Sequence, residues 1–176
     1  REAAELAEAL GDRRRLGATT SQLSSALWLA GRHAAGLTSA AEAVRLADEL
    51  NDFVLRLSAR FNQANLLHAT GDLKEAAEIY SEIIASLDGE LELKRFGWPG
   101  IPSVLSRSLL TWSLVSLGEF ERARQTMDRA MALIDRIREP YSRAFAYLGE
   151  GLYRAAIGQT KAAIDSFETA HDITQQ

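Results

Sequence analysis

The side chains in this sequence that could do chemistry are few, and their spacing draws none of them into a constellation. His33, His68 and His171 lie far apart with no His-x3-His spacing, and there is no Cys. Neither a zinc site nor thiolate chemistry is therefore written in the chain, and no acidic loop suggests calcium. No Gly-x4-Gly-Lys-Ser/Thr, Gly-x-Gly-x-x-Gly or Gly-x-Ser-x-Gly run is present to cradle a phosphate or carry a nucleophile. Carboxylate pairs such as Glu5–Glu8 and Glu75–Glu78 fall on polar faces of helical pattern and read as surface. Arg13, Arg14 and Arg15 could meet a phosphate or an acidic partner, but neighbouring acids favour a solvated helix face, and cations at a helix start oppose its dipole. The expectation is no catalytic residue, no metal and no cofactor. Any function then rests on binding, and on the elements that position the remaining side chains.

Bulk properties narrow the partner. With 176 residues, 47% hydrophobic and 25% charged, the chain suits one ordinary globular domain or a short repeat array. A net charge of −4 gives no basic field to attract nucleic acid, so a nucleic-acid partner is not expected. Arg supplies 17 of the 20 basic residues, which reads as compositional bias before any recognition role. No apolar run approaches the roughly 18 residues needed to cross a bilayer, and the absence of Cys agrees with a cytoplasmic setting. The chain opens in helical pattern without an initiator Met and closes within another helix-like stretch, Phe167 to Gln176, so we expect a piece of a larger protein.

The elements repeat. Residues 1–12 align with residues 41–52 at an offset of 40, and Gly31, Gly71, Gly118 and Gly158 follow at spacings of 40, 47 and 40. After each glycine, offsets of 5, 9 and 12 mark a small or apolar stripe along one helix face: Gly36, Ala40 and Ala43; Ala76, Tyr80 and Ile83; Ala123, Met127 and Ala130; Ala163, Phe167 and Ala170. Seven residues before each glycine stands a small residue, Ser24, Ala64, Thr111 or Gly151. Two small contact points, one per helix, describe a closely packed antiparallel pair. Gly11 and Asn51 are expected to end helices in the left-handed conformation, with Asp12 and Asp52 capping the next. Pro99, Pro102 and Pro140 fall in connectors or first turns. The spacing predicts an all-α fold.

The run Gly118-x-Phe120-x-x-Ala123-x-x-x-Met127-x-x-Ala130 resembles the second half of a tetratricopeptide (TPR) repeat, and Tyr147 with Gly151 resembles part of the first. The period of 40 is similar to the long-repeat, MalT-like type, and residues 95–107 with Leu117–Phe120 resemble repeat regions of bacterial class III cyclase and AAA-type ATPase signalling proteins. His33 and Thr160 stand where an aromatic or Leu is usual, so those hairpins are expected to pack less tightly. The resemblance implies a right-handed α-solenoid of antiparallel helix pairs, one domain over residues 1–176. Residues 1–11 would be the second helix of a truncated repeat. Repeats would follow at 12–51, 52–88, 102–138 and 139–176, with an inserted connector at 89–101.

Such a stack leaves an inner wall lined by the first helix of each pair. Carrying over the family's register, 13, 10, 6 and 3 residues before each glycine, the wall would hold Ala18, Ser21, Ser25 and Trp28; Ser58, Phe61, Asn65 and His68; Leu105, Ser108, Trp112 and Val115; and Phe145, Leu148, Leu152 and Ala155. Ser21, Ser25, Trp28, Phe61, Asn65, His68, Ser108 and Trp112 are the candidate partner-binding residues. Asn65 matches an Asn that bonds ligand backbone in peptide-clamping repeats, although it could equally bond helix to helix. The lysines that grip a terminal carboxylate in that subclass are absent. Trp28 and Trp112 also fit a core role. The connector, Asp88 to Pro102, carries Phe96, Trp98 and Ile101 among Gly and Pro, and reads either as a flap or as a packed plug.

The expected function is a non-catalytic scaffold for a protein or peptide, including other domains of the same chain, within a bacterial signalling protein. Self-association stays open, and no membrane partner is expected. The alternative is a small-molecule sensor that signals by changing its curvature.

Overall fold

Helix boundaries follow the punctuation. The computed structural model describes residues 2–175, and nine α-helices lie among them with no strand: α1 (Glu2–Ala9), α2 (Arg13–Leu29), α3 (His33–Glu49), α4 (Phe53–Thr70), α5 (Leu73–Ser86), α6 (Pro102–Ser116), α7 (Phe120–Ile134), α8 (Pro140–Ala156) and α9 (Thr160–Thr174). A 3-10 turn, Gly89–Leu91, follows α5. Gly71 takes φ of 91°, a conformation that admits glycine most easily, and the next N–H, of Asp72, reaches back to the Leu67 carbonyl at 2.9 Å. The same long return bond forms after Gly11, Gly31, Gly118 and Gly158, and after Asn51, which adopts φ of 48° as expected. Asp12 accepts from the Arg15 N–H and Asp52 from the Leu55 N–H, both at 3.0 Å, so each caps the following helix. Pro102 and Pro140 open α6 and α8, where a missing N–H costs nothing.

The chain divides inside α5, between Ile79 and Tyr80, into two compact units. In the first, α2 packs on α1, α3 and α4, and α3 also meets α4. The small stripe is where the sequence puts it: Ser24, Gly36, Ala40, Ala43 and Ala64 are all buried. A Cβ on Gly36 would come within 2.6 Å of the Leu66 side chain, so α3 and α4 approach as closely as a glycine permits.

In the second unit α6 packs on α7 and α8, α7 also meets α8, and α8 pairs with α9. Thr111, Ala123, Met127, Ala130, Gly151 and Ala163 are buried. At the crossing of α6 and α8 the near neighbour is backbone: a Cβ on Gly149 would stand 3.1 Å from the Ser108 Cα and 3.2 Å from its Cβ. Gly151 faces the ring of Phe167 closely enough that a side chain there would collide with it. Phe167 and Ala170 of α9 keep partial exposure.

Arg13, Arg14 and Arg15 lie on the surface and pair with Glu49, Asp52 and Asp12, which is the solvated face rather than a phosphate site. Exposed pairs of this kind contribute about 0–1 kcal/mol each.

Two measurements check these packing and capping claims. Gly149→Ala gains helix propensity of about 1 kcal/mol but presses on backbone that cannot turn aside, so a denaturant melt should show a net loss of about 1–2 kcal/mol. An unchanged midpoint would contradict the crossing. Asp52 is held below its ordinary carboxylate range, chiefly by the Leu55 N–H and then by Arg14. A depressed folded pKa gives stability that is present above the unfolded value of about 3.9 and lost as pH falls through the folded value. Asp52→Ala should therefore cost about 1 kcal/mol at pH 7, and its gap from wild type should narrow in melts below about pH 3.9.

Candidate functional site

The candidate residues fall in both units. In the first, α2 and α4 lie side by side, and Ser21 is buried between them rather than facing an open wall. Its hydroxyl sits 3.0 Å from that of Ser58, and the Asn62 side-chain amide donates to the Ser21 carbonyl at 2.9 Å and to its hydroxyl at 3.1 Å. Asn62, one turn before the Asn65 singled out from the family register, thus joins Ser58 in hydrogen bonding across α2 and α4. Asn65 is itself buried, beside Ala64, Leu66 and Leu67, and is not a surface donor.

Ser25, Trp28, Phe61 and His68 are half-buried. Burial pushes the His68 imidazole below its ordinary pKa, which favours the neutral ring.

The second unit presents a more apolar face. Helices α6 and α8 run in the same sense, separated in sequence by the returning α7. Ser108 is buried at their crossing, its hydroxyl donating to the Val104 carbonyl at 3.0 Å, and so it too leaves the candidate surface. One turn further along α6, Trp112 is 39% exposed. On α8, Tyr141, Phe145, Leu148 and Leu152 share one face at helical spacing. Tyr141 and Leu148 are 42% and 36% exposed, Phe145 and Leu152 half-buried. The rings of Tyr141 and Phe145 lie 5.0 Å apart, tilted by 36°, a favourable aromatic pairing. Tyr141 lies beyond the carried-over register; its position four residues before Phe145 was the available signal.

The inserted segment is a plug at its two ends. Ile101 is 3% exposed and lies in the core with Val104, Ala130, Leu133, Ile134 and Ala146, so it is an anchor and not part of a flap. Its N–H donates to the Ser142 hydroxyl at 2.7 Å. At the other end Glu92 is buried, bonded to Arg107 at 3.2 Å and to Arg129 at 2.8 and 2.9 Å, while its carbonyl accepts from the Ser103 hydroxyl. Burial pulls the Arg107 pKa down, and Glu92 acts against that pull. Lifting the segment would strand these charges, a cost of several kcal/mol. Between the anchors, Phe96 and Trp98 are half-buried, and Phe96 adopts φ of 51°, unusual for an aromatic residue. Arg95 braces this stretch by donating to the Trp98 and Pro99 carbonyls.

No group of His, Cys, Asp and Glu suited to a metal ion occurs among the described residues, and none of their helices is long and apolar enough to cross a membrane.

No family model matches this sequence, nor does any curated protein. Solved structures do. BtubC, also designated BKLC, from P. vanneervenii gives a TM-score of 0.72 at 16% identity, over 98% of this chain and 77% of that one. A Podosopora anserina protein described as a kinesin light chain with nearly identical TPR-like repeats gives 0.66 at 18% identity, over 91% of this chain and 75% of that one. At these identities the likeness is one of fold: the chain is all-α and built from TPR-like helix pairs.

Proposed function

We propose that this chain is a protein-interaction scaffold and that the shared face of α6 and α8 is its principal contact surface. The observation that carries the reading is the exposure of Trp112 on α6 and of Tyr141 and Leu148 beside half-buried Phe145 on α8. Aromatic side chains held on rigid helices are the residues from which binding energy is usually concentrated, and leaving them wet costs the free protein solvation that a partner recovers. Such a face fits an extended peptide or one side of a partner helix bearing apolar residues. Ser25, Trp28, Phe61 and His68 on α2 and α4 are a second candidate contact in the first unit.

The wider setting belongs to the same proposal. A regulatory role in a bacterial signalling protein of the long-repeat type, in the cytoplasm, suits a non-catalytic scaffold and draws on the resemblance of residues 95–107 and of the period of 40. The kinesin-light-chain description of one structural neighbour supports a scaffold in general terms. A small-molecule sensor that signals by changing its curvature, with the ligand held under the connector, is less favoured, because Glu92 and Ile101 tie that segment down.

The test begins with a random-peptide display library selected on the whole chain, followed by anisotropy titrations of the peptides recovered. Trp112→Ala with Leu148→Ala should weaken them about tenfold or more while leaving helicity and melting temperature close to wild type. Affinities unchanged in that variant would remove the α6–α8 face from consideration.

A further inference from the structure

Beyond the apolar face, the second unit gathers several charged side chains at one place. Three guanidinium groups converge on one carboxylate. Arg107 and Arg129 bond Glu92, and Arg136 stands 3.9 Å from the same group. Asp88 also acts on Arg107, but its carboxylate caps the 3-10 turn by accepting from the Gly89 N–H. Three guanidinium groups thus gather around Glu92, with Asp88 acting on one of them.

The three arginines are not equivalent. Arg107 is 10% exposed and spends a second nitrogen on the Ser103 carbonyl, so it belongs to the interior. Arg129 and Arg136 are 52% and 59% exposed. Arg129 meets Glu92 through a single nitrogen, Nη2, which leaves Nε and Nη1 outside that pair. Residues 129 and 136 are seven apart, at the end of α7 and just beyond it, and so stand near the same side. Glu92 thereby holds the long, flexible Arg129 side chain in place before anything arrives, lowering the ordering cost a ligand would meet, while Arg136 stands nearby at 3.9 Å from the same carboxylate. A guanidinium with unused N–H groups in a fork accepts a carboxylate in bidentate fashion.

We infer that Arg129, held by Glu92, and the neighbouring Arg136 form a docking point for an acidic peptide segment, in which an Asp or Glu side chain takes the guanidinium N–H groups that Glu92 leaves unused. Charge complementarity selects this occupant. The site is separate from the α6–α8 aromatic face and does not depend on it.

The experiment uses the whole chain and a fluorescein-labelled decapeptide of alternating Asp and Glu, titrated by anisotropy at low ionic strength, with an Asn/Gln decapeptide as control. Arg129→Gln with Arg136→Gln should weaken binding about fivefold or more, whereas the charge-matched pair Arg45→Gln with Arg124→Gln should stay within about twofold of wild type. Arg136→Gln alone lies outside hydrogen-bond reach of Glu92, so it should fold as wild type and still weaken the peptide. Trp112→Ala with Leu148→Ala should bind the acidic peptide normally. Equal weakening by both charge-matched pairs would mean net charge alone is at work and would overturn the assignment. So would an absence of binding by wild type, or equal binding of the Asn/Gln peptide. Displacement by inorganic phosphate at matched anion concentration would mark a phosphate site and overturn the peptide assignment.

Discussion

The structure depends on how closely two helices can approach where a side chain is small or missing. At the Gly149–Ser108 crossing there is no room for one more carbon between α6 and α8, and at Gly36 the Leu66 side chain fills the space that a Cβ would take. These contacts set which helix faces turn inward. Once Ser24, Ala64, Thr111 and Gly151 are committed to crossings, the opposite faces of the same helices must carry whatever is left to meet solvent or a partner. The exposed aromatic face of α6 and α8 is a consequence of that division, and so is the burial of Ser21 and Ser108, which lie between the two sides.

Polar groups inside the units serve the same end. Asn62 bonds Ser21 across α2 and α4, and Glu92 gathers Arg107 and Arg129 beneath the inserted segment. Each satisfies donors and acceptors that burial would otherwise penalise, and each limits how its helices can slide. The inserted segment is therefore fixed by electrostatics at one end and by the apolar side chain of Ile101 at the other.

Much of the fold was legible in the sequence because its signals are local. The recurrent glycines, the Asn51 turn, the Asp12 and Asp52 caps and the helix-opening prolines all act within a few residues, and the structure has them in the expected roles. The candidate site was less legible. A register carried over from a family places residues to within a turn of helix, and one turn separates Asn65 from Asn62, or buried Ser108 from exposed Trp112. Glu92 gave no signal at all: its partners lie 15 and 37 residues away, and only the packing of the connector on α6 and α7 brings them together. Ile101 looked like part of an apolar flap because composition does not say whether a hydrophobic loop covers a surface or fills a hole.

The closest test of small-residue nesting is a double-mutant cycle at Gly151 and Phe167, read by chemical denaturation. If the Phe167 ring occupies the space that Gly151 leaves, Gly151→Ala should destabilise the chain, and Phe167→Leu should relieve that loss by about 1 kcal/mol or more. A coupling energy indistinguishable from zero would mean the two helices do not meet there, and the division of faces argued from it would fail.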